Sequence, residues 1–453
     1  MMQMRFATKG ILFTALALFC IPARPLAAQG QQDQAKVTYT IPEYNAFQAA
    51  NAEKDPQARL KLLDDFSAKF PNSTLNQYAF ALYYQTYLQL KNYPKTIEYI
   101  DKLTGLGDAA DLGARLSAYS NRVQVFPFVF NPKAPDAHDQ LVKERDAAKQ
   151  GADLLQKYPK PADSKLTDDQ FAEQKKPGIA LFYAAVGFAD LQLKDFPAAI
   201  EAFKTALAND PKDAVSAYRL GVAYLSGTPP QSLDGFWYLA RSINLKIQGD
   251  SQIKDYLRKQ IINYEQPQCE NLADAQLNEL LTLAGTSGDR PATYTIPSAA
   301  DLQKIAGSST ILTVFSDLAA GGDKAKLTWL AICGAQFPSV AGKIIEVKPG
   351  TGFVNFEVFA GASDDEIQKA TTANMDVKVW TTAPPAGAAG ASPAAAQPDV
   401  VRLAKDDGIM FSGTIASYDP SPFLLHWDQV KVDPSVIPEK ADAGKHKKAP
   451  AKQ

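Results

Sequence analysis

Apolar and polar positions along the chain follow two different periods. Across residues 37–285 the apolar side chains recur every three or four positions, as amphipathic helices require, and each stretch stops at a helix-breaking residue. Ala58, Leu62, Leu63 and Phe66 form one such stripe, which ends at Phe70-Pro71. Tyr83, Tyr84 and Tyr87, a turn at Tyr93-Pro94, and then Ile97, Ile100 and Leu103 predict a helix-turn-helix. Ala147, Ala152, Leu154 and Leu155 predict another helix, stopped at Tyr158-Pro159. Ile253, Leu257, Ile261 and Tyr264, followed by Leu277, Leu280, Leu281 and Ala284, predict a helix pair that caps the stack. One stretch breaks the rhythm. Val123 to Phe130 alternates, is apolar and contains Pro127, which predicts a loop packed on the helices or an exposed strand for a partner to pair with.

From about residue 338 the period shortens to two. Ser339 to Val347, Gly352 to Phe359, Met375 to Thr381, Ile409 to Tyr418 and Pro422 to Val432 are the expected strands. Lys348-Pro349-Gly350-Thr351-Gly352 and Asp419-Pro420-Ser421-Pro422 supply turns. Five short strands predict a small closed barrel over residues 338–433, and Gly342 to Val347 looks like the first strand of an OB-fold. Residues 286–337 form a helical connector. Its Leu302, Ile305, Leu312, Phe315 and Leu318 are expected to face inward, and it is open which neighbour it joins. The Ala- and Pro-rich residues 383–397 are expected to form a disordered insertion, and residues 434–453 a basic, unfolded tail.

The helical region carries an internal repeat. Gly187 sits in a first helix, Asp195-Phe196-Pro197 makes a turn, Ala199, Phe203 and Ala206 line a second helix, and Asn209-Asp210-Pro211 closes it. Gly221 follows Gly187 by 34 residues, with Leu220 and Tyr224 beside it, and Gly235 and Leu239 stand on the next helix. This resembles the tetratricopeptide (TPR) repeat, in which small residues let two antiparallel helices approach and an aromatic fills the gap. Asp190 departs from the pattern, which has Tyr there. The resemblance implies an α-solenoid of TPR-like helix pairs followed by a small, mostly β, barrel-like domain. It also implies a concave, partner-binding face made of the first helices, with Tyr44, Gln48, Tyr78, Gln85, Phe188, Tyr218, Arg219 and Val222 pointing into it. The family's groove for a C-terminal carboxylate needs Lys and Asn at matched positions. Here those positions hold Tyr44, Ala81, Ala184, Gln48, Gln85 and Phe188, so capture of a chain end is not expected.

Charge and chemistry narrow the function. The net charge is −2, and Lys343, Lys348, Lys378 and Lys431 in the barrel are balanced by Glu346, Glu357, Asp376 and Asp433, so no nucleic-acid partner is expected. The histidines are His138, His426 and His446, and neither a zinc-protease motif nor a nucleotide-binding glycine loop accompanies them. Ser251-x-x-Lys254 has the spacing of a penicillin-recognising motif without its companions. No catalytic residue, cofactor or metal is expected. Arg5, Lys9 and the apolar Ile11 to Ile21 predict an export signal over residues 1–28 and a periplasmic or secreted mature chain. Phe19 before Cys20 argues against lipoprotein processing. Cys269 and Cys333 would tie the repeat cap to the barrel if oxidised, and are equally consistent with two separate buried thiols. The expected role is a non-catalytic envelope adaptor that binds proteins, with the basic tail able to touch anionic envelope polymer. The alternative is a cell-wall glycan-binding or hydrolytic protein that works through the barrel.

Overall fold

The computed structural model describes residues 39–383 and 396–439. The expected export signal, the tail beyond Glu439 and most of the Ala/Pro-rich stretch lie outside the described residues. The chain divides into two compact units, Met1–Asp250 and Ser251–Gln453.

The first unit is a succession of antiparallel helices: α1 (Ile41–Ala52), α2 (Pro56–Lys69), α3 (Asn76–Gln89), α4 (Tyr93–Thr104), α5 (Leu112–Val129), α6 (Ala137–Lys157), α7 (Asp168–Gln192), α8 (Phe196–Asn209), α9 (Ala214–Ser226) and α10 (Ser232–Asn244). Each helix packs on the next in sequence, and α5, α7 and α9 also touch in order. Local chemistry starts the helices. Asp55, Asn92, Asp111, Asp195 and Asp213 cap their helices through side-chain oxygens, and Thr40 and Thr167 close capping boxes with Glu43 and Gln170. Two turns share one grammar. Lys91-Asn92-Tyr93-Pro94 and Lys194-Asp195-Phe196-Pro197 each place the lysine at positive φ, then the cap, then proline in the first helical turn. In each, the cap N–H reaches back to the preceding helix: Asn92 to the Tyr87 carbonyl at 2.8 Å and Asp195 to the Asp190 carbonyl at 2.9 Å.

Val123 to Phe130 is neither a loop nor a strand, because α5 runs through it to Val129. The helix is packed against α4, α6 and α7, so Arg122, Val123, Val125 and Phe126 are all buried and no single-face period survives. Pro127 lies in the last turn. Buried Arg122 forms ion pairs with Asp101 and, at 3.1 Å, with Glu144, which burial pushes up to about 7 against the pull of Arg122. The missing repeat tyrosine has a counterpart here as well: Asp190 is buried and faces Arg145 of α6 at 3.6 Å.

The second unit holds α11 (Asp250–Glu265), α12 (Leu272–Ala284), α13 (Ala299–Ser308), α14 (Ile311–Ala320) and α15 (Gly322–Ile332). A barrel follows, made of β1 (Gln336–Gly350), β2 (Phe353–Phe359), β3 (Met375–Trp380), β4 (Gly408–Pro420) and β5 (Phe423–Val432), with α16 (Asp364–Lys369) between β2 and β3. The helix pair expected to cap the repeats therefore falls in the unit of the barrel. The barrel closes in the order β1-β2-β3-β5-β4, with β3 and β5 parallel. Long β1 serves two neighbours, β4 through its first half and β2 through its second. Gly342 permits the close approach of β1 to β2 where the two pairings meet, since a Cβ there would stand 2.5 Å from Val358 Cγ1 and 2.7 Å from the Phe359 carbonyl. Alternation fills the interior with Ile344, Phe356, Val377, Ile415, Leu425 and Trp427.

The connector helices join the barrel core. Val314, Phe315, Leu318 and Ile332 pack with the strands' inner residues, Phe315 meets Phe423 edge-on at 5.8 Å, and Trp329 meets Tyr418 at 5.1 Å. Leu312 is exposed rather than inward, and Val314 takes the buried position on that turn. Cys269 and Cys333 form a disulfide, with a Cα–Cα distance of 5.9 Å. The bond lies within the second unit and ties the α11–α12 segment to the end of α15, rather than joining the repeats to the barrel.

Candidate functional site

The helix pairs are held close by small residues. A Cβ on Gly187 of α7 would meet the Phe203 ring of α8 at 2.8 Å, and one on Gly221 of α9 would meet the Gly235 carbonyl and Leu239 of α10 at 2.9 Å. Gly151 of α6 lies under Phe182 of α7 in the same way, at 2.4 Å. With the second helices thus occupied, the odd-numbered helices contribute the residues expected to meet a partner.

Those residues divide into two groups. At the N-terminal end Tyr44 stacks on Tyr39 at 5.8 Å and Tyr78 packs against Phe47 at 6.2 Å, while Gln48 is half-buried and Gln85 exposed. Further along, the Arg219 guanidinium of α9 lies over the Phe188 ring of α7 at 4.7 Å from its centroid, with Tyr218 and Val222 half-buried on the same helix as Arg219. Tyr83, Tyr84 and Tyr99 are packing residues: Tyr83 stacks on Tyr99 at 4.0 Å and donates to Asp64 at 2.7 Å.

Phe130, at the cap of α5, completes the second group. Its ring stands edge-on to Phe188 at 6.1 Å and stacks on Phe126 at 5.4 Å. Phe126, Phe130, Phe188 and Arg219 thus form a ladder across α5, α7 and α9. Phe130 was hidden in the sequence because the segment around it alternates like a strand. The signal that finds it is the four-residue step from Phe126. Burial holds the Arg219 guanidinium below its ordinary pKa, against the pull of Asp213 and Tyr218. Among the described residues Arg219 has no ion pair. The Asp213 carboxylate is committed to the cap of α9, accepting from the Val215 and Ser216 amides at 3.0 and 3.1 Å and from the Ser216 hydroxyl at 2.5 Å.

The first unit is a stack of tetratricopeptide-like helix pairs. No family model matches the chain, and no curated protein matches it. Among solved structures it is similar to a thermophilic TPR protein of Thermus thermophilus, at 17% identity and a TM-score of 0.25, covering 49% of this chain and 99% of that one. It is also similar to the C-terminal part of a TPR repeat-containing protein of Cytophaga hutchinsonii, at 16% identity and a TM-score of 0.24, over 54% of this chain and 95% of that one. A third similarity is to the TPR2AB domain of yeast Sti1 in a complex with pHSP90, at 15% identity and a TM-score of 0.16, over 54% of this chain and 91% of that one. The repeat architecture rests on this chain's own geometry: the glycine-to-aromatic approach of α7 and α8, its counterpart in α9 and α10, and the two matching turns.

The repeat unit is not the whole of the candidate chemistry. On the barrel wall His426 of β5 bridges two carboxylates, Nδ1 to Asp376 at 3.0 Å and Nε2 to Asp419 at 3.0 Å, and Asn355 donates to the other Asp376 oxygen. Burial pulls the imidazole pKa down, but the hydrogen bonds to Asp419 and Asp376 outweigh it, so the net direction is upward. Both ring nitrogens are engaged, which makes this a cross-strand tie. Nearby, Lys378 lies over Phe353 and Trp380 at 4.5 and 4.6 Å. Ser251 and Lys254 are exposed on the first turn of α11.

Proposed function

We propose that this chain is an exported, non-catalytic adaptor of the cell envelope, whose helix pairs hold a segment of a protein partner while the barrel, which we read as OB-like from its strand order, docks a second element. The observation that carries the reading is the ladder from Phe126 to Arg219. It crosses three successive odd-numbered helices and ends in a cation that forms no ion pair among the described residues. Aromatic rings and arginine are the residues in which interface energy concentrates. Export is supported by the positive and then apolar order of Arg5, Lys9 and Ile11 to Ile21, and by the Cys269–Cys333 disulfide, since such bonds persist in oxidising compartments.

A site-specific photo-crosslinker tests this in living cells. Placed at Tyr218 it should give an adduct with a defined protein, and placed at exposed Lys204 on α8 it should not. Retention on purified peptidoglycan with no protein adduct from either position would favour the alternative, in which the barrel contacts glycan.

A further inference from the structure

We infer that the Phe188–Arg219 end of the ladder receives an internal acidic side chain of an extended partner segment, flanked in that segment by an apolar residue. This rests on the protein-binding reading above and names the chemistry of what is bound. Arg219 as a residue is half-buried, its guanidinium lies over a ring with the centroid 4.7 Å away, and it has no ion pair among the described residues. A guanidinium lying over a ring can still turn its N–H edge to a carboxylate, which it matches with two parallel hydrogen bonds. Asp213, the carboxylate that acts on it, already accepts three hydrogen bonds at the start of α9. A carboxylate from outside therefore meets a cation whose desolvation has already been borne on folding.

The surroundings decide between an acidic side chain and a chain end. Holding a terminal carboxylate together with its neighbours needs several cations and amides at matched positions, and Tyr44, Ala81, Ala184 and Phe188 stand there instead. One cation suits one carboxylate. The rest of the ladder is ring: Phe130 and Phe188 are half-buried and Phe126 is buried. A neighbouring apolar side chain of the same segment fits that surface.

An immobilised peptide array tests the inference with the full mature chain. It would carry random-sequence peptides with an internal Glu next to Leu or Phe, each paired with its Gln counterpart, and each made with a free and an amidated C-terminus. The expected result is at least about a tenfold preference for Glu over Gln, indifferent to amidation and abolished in Arg219→Gln, with Arg219→Lys retaining part of it. Circular dichroism confirms that both variants keep the wild-type fold. Peptides that bind without preferring Glu, or with a preference that survives Arg219→Gln, would overturn the inference and leave the protein-binding reading standing. Binding lost on amidation would show a chain end and overturn it as well. An array that binds neither wild type nor variant, together with no adduct from Tyr218, would overturn both.

Discussion

Gly187 of α7 lies so close beneath Phe203 of α8 that a Cβ added to it would come within 2.8 Å of the ring. The next pair repeats the approach with harder neighbours. A Cβ on Gly221 would meet the Gly235 carbonyl and the Leu239 backbone nitrogen, both at 2.9 Å, and neither can rotate away as a ring can.

Gly221→Leu should accordingly overpack the α9–α10 interface and cost roughly 1–3 kcal/mol. Gly307, where an added Cβ meets nothing within 4 Å, supplies the control. Gly307→Ala should leave the melting temperature unchanged or slightly raised, because alanine is the better helix residue. Equal melting curves for wild type and Gly221→Leu would refute the close approach of this pair.

His426 should make stability depend on pH in one direction. Its folded pKa lies above the ordinary value, so the tie to Asp376 and Asp419 is fully present below the unfolded pKa of about 6.5 and is lost as pH rises through the folded value. Thermal unfolding of wild type and His426→Gln from about pH 5.5 to about pH 8.5 should therefore differ most at the acid end and converge at the alkaline end. A gap that is constant across that range would mean the ring contributes packing alone.

Glu265 should act with the opposite sign. It is fully buried at the end of α11, and burial pushes it up to about 7 against the hydrogen-bonding pull of Gln276. The folded state favours the neutral acid, so stability falls as pH rises from the unfolded value of about 4.3 towards 7, by about 4 kcal/mol at most. Glu265→Gln should be more stable than wild type near pH 8 and close to it near pH 5. Urea denaturation at the two pH values measures the difference, and a variant destabilised equally at both would contradict the assignment.

Cleaving the disulfide should loosen the second unit. The bond closes a loop across a sequence separation of 64 residues, for which chain entropy gives about 4 kcal/mol. A Cys269→Ser, Cys333→Ser double variant should melt lower and expose the α11–α12 segment to protease before the barrel strands. The check is limited proteolysis followed by mass spectrometry, and an unchanged digestion pattern would place the stability elsewhere.

The sequence by itself determined the elements whose causes are local. The turns at Tyr93-Pro94 and Asp195-Phe196-Pro197 and the glycine positions at 187 and 221 are each set by a few neighbouring residues, and they were enough to show helix pairs and their register. The five strands were legible for the same reason: alternation is a property of each strand alone, and observed and expected bounds differ by only a few residues at either end.

Tertiary structure decided what depends on which distant residues meet. Val123 to Phe130 became helix because neighbours on three sides bury it, and burial on several faces erases the period that marks a helix. The same packing brings Phe130 to Phe188 and carries Arg219 over that ring, although 58 residues separate the first pair and 31 the second. Nothing in the local pattern could pair Cys269 with Cys333, assign α11 to α15 to the barrel's unit, or set His426 between Asp376 and Asp419. Periodicity records which side of an element is buried. It carries no address for what lies on the other side of the contact, and only the folded chain supplies that.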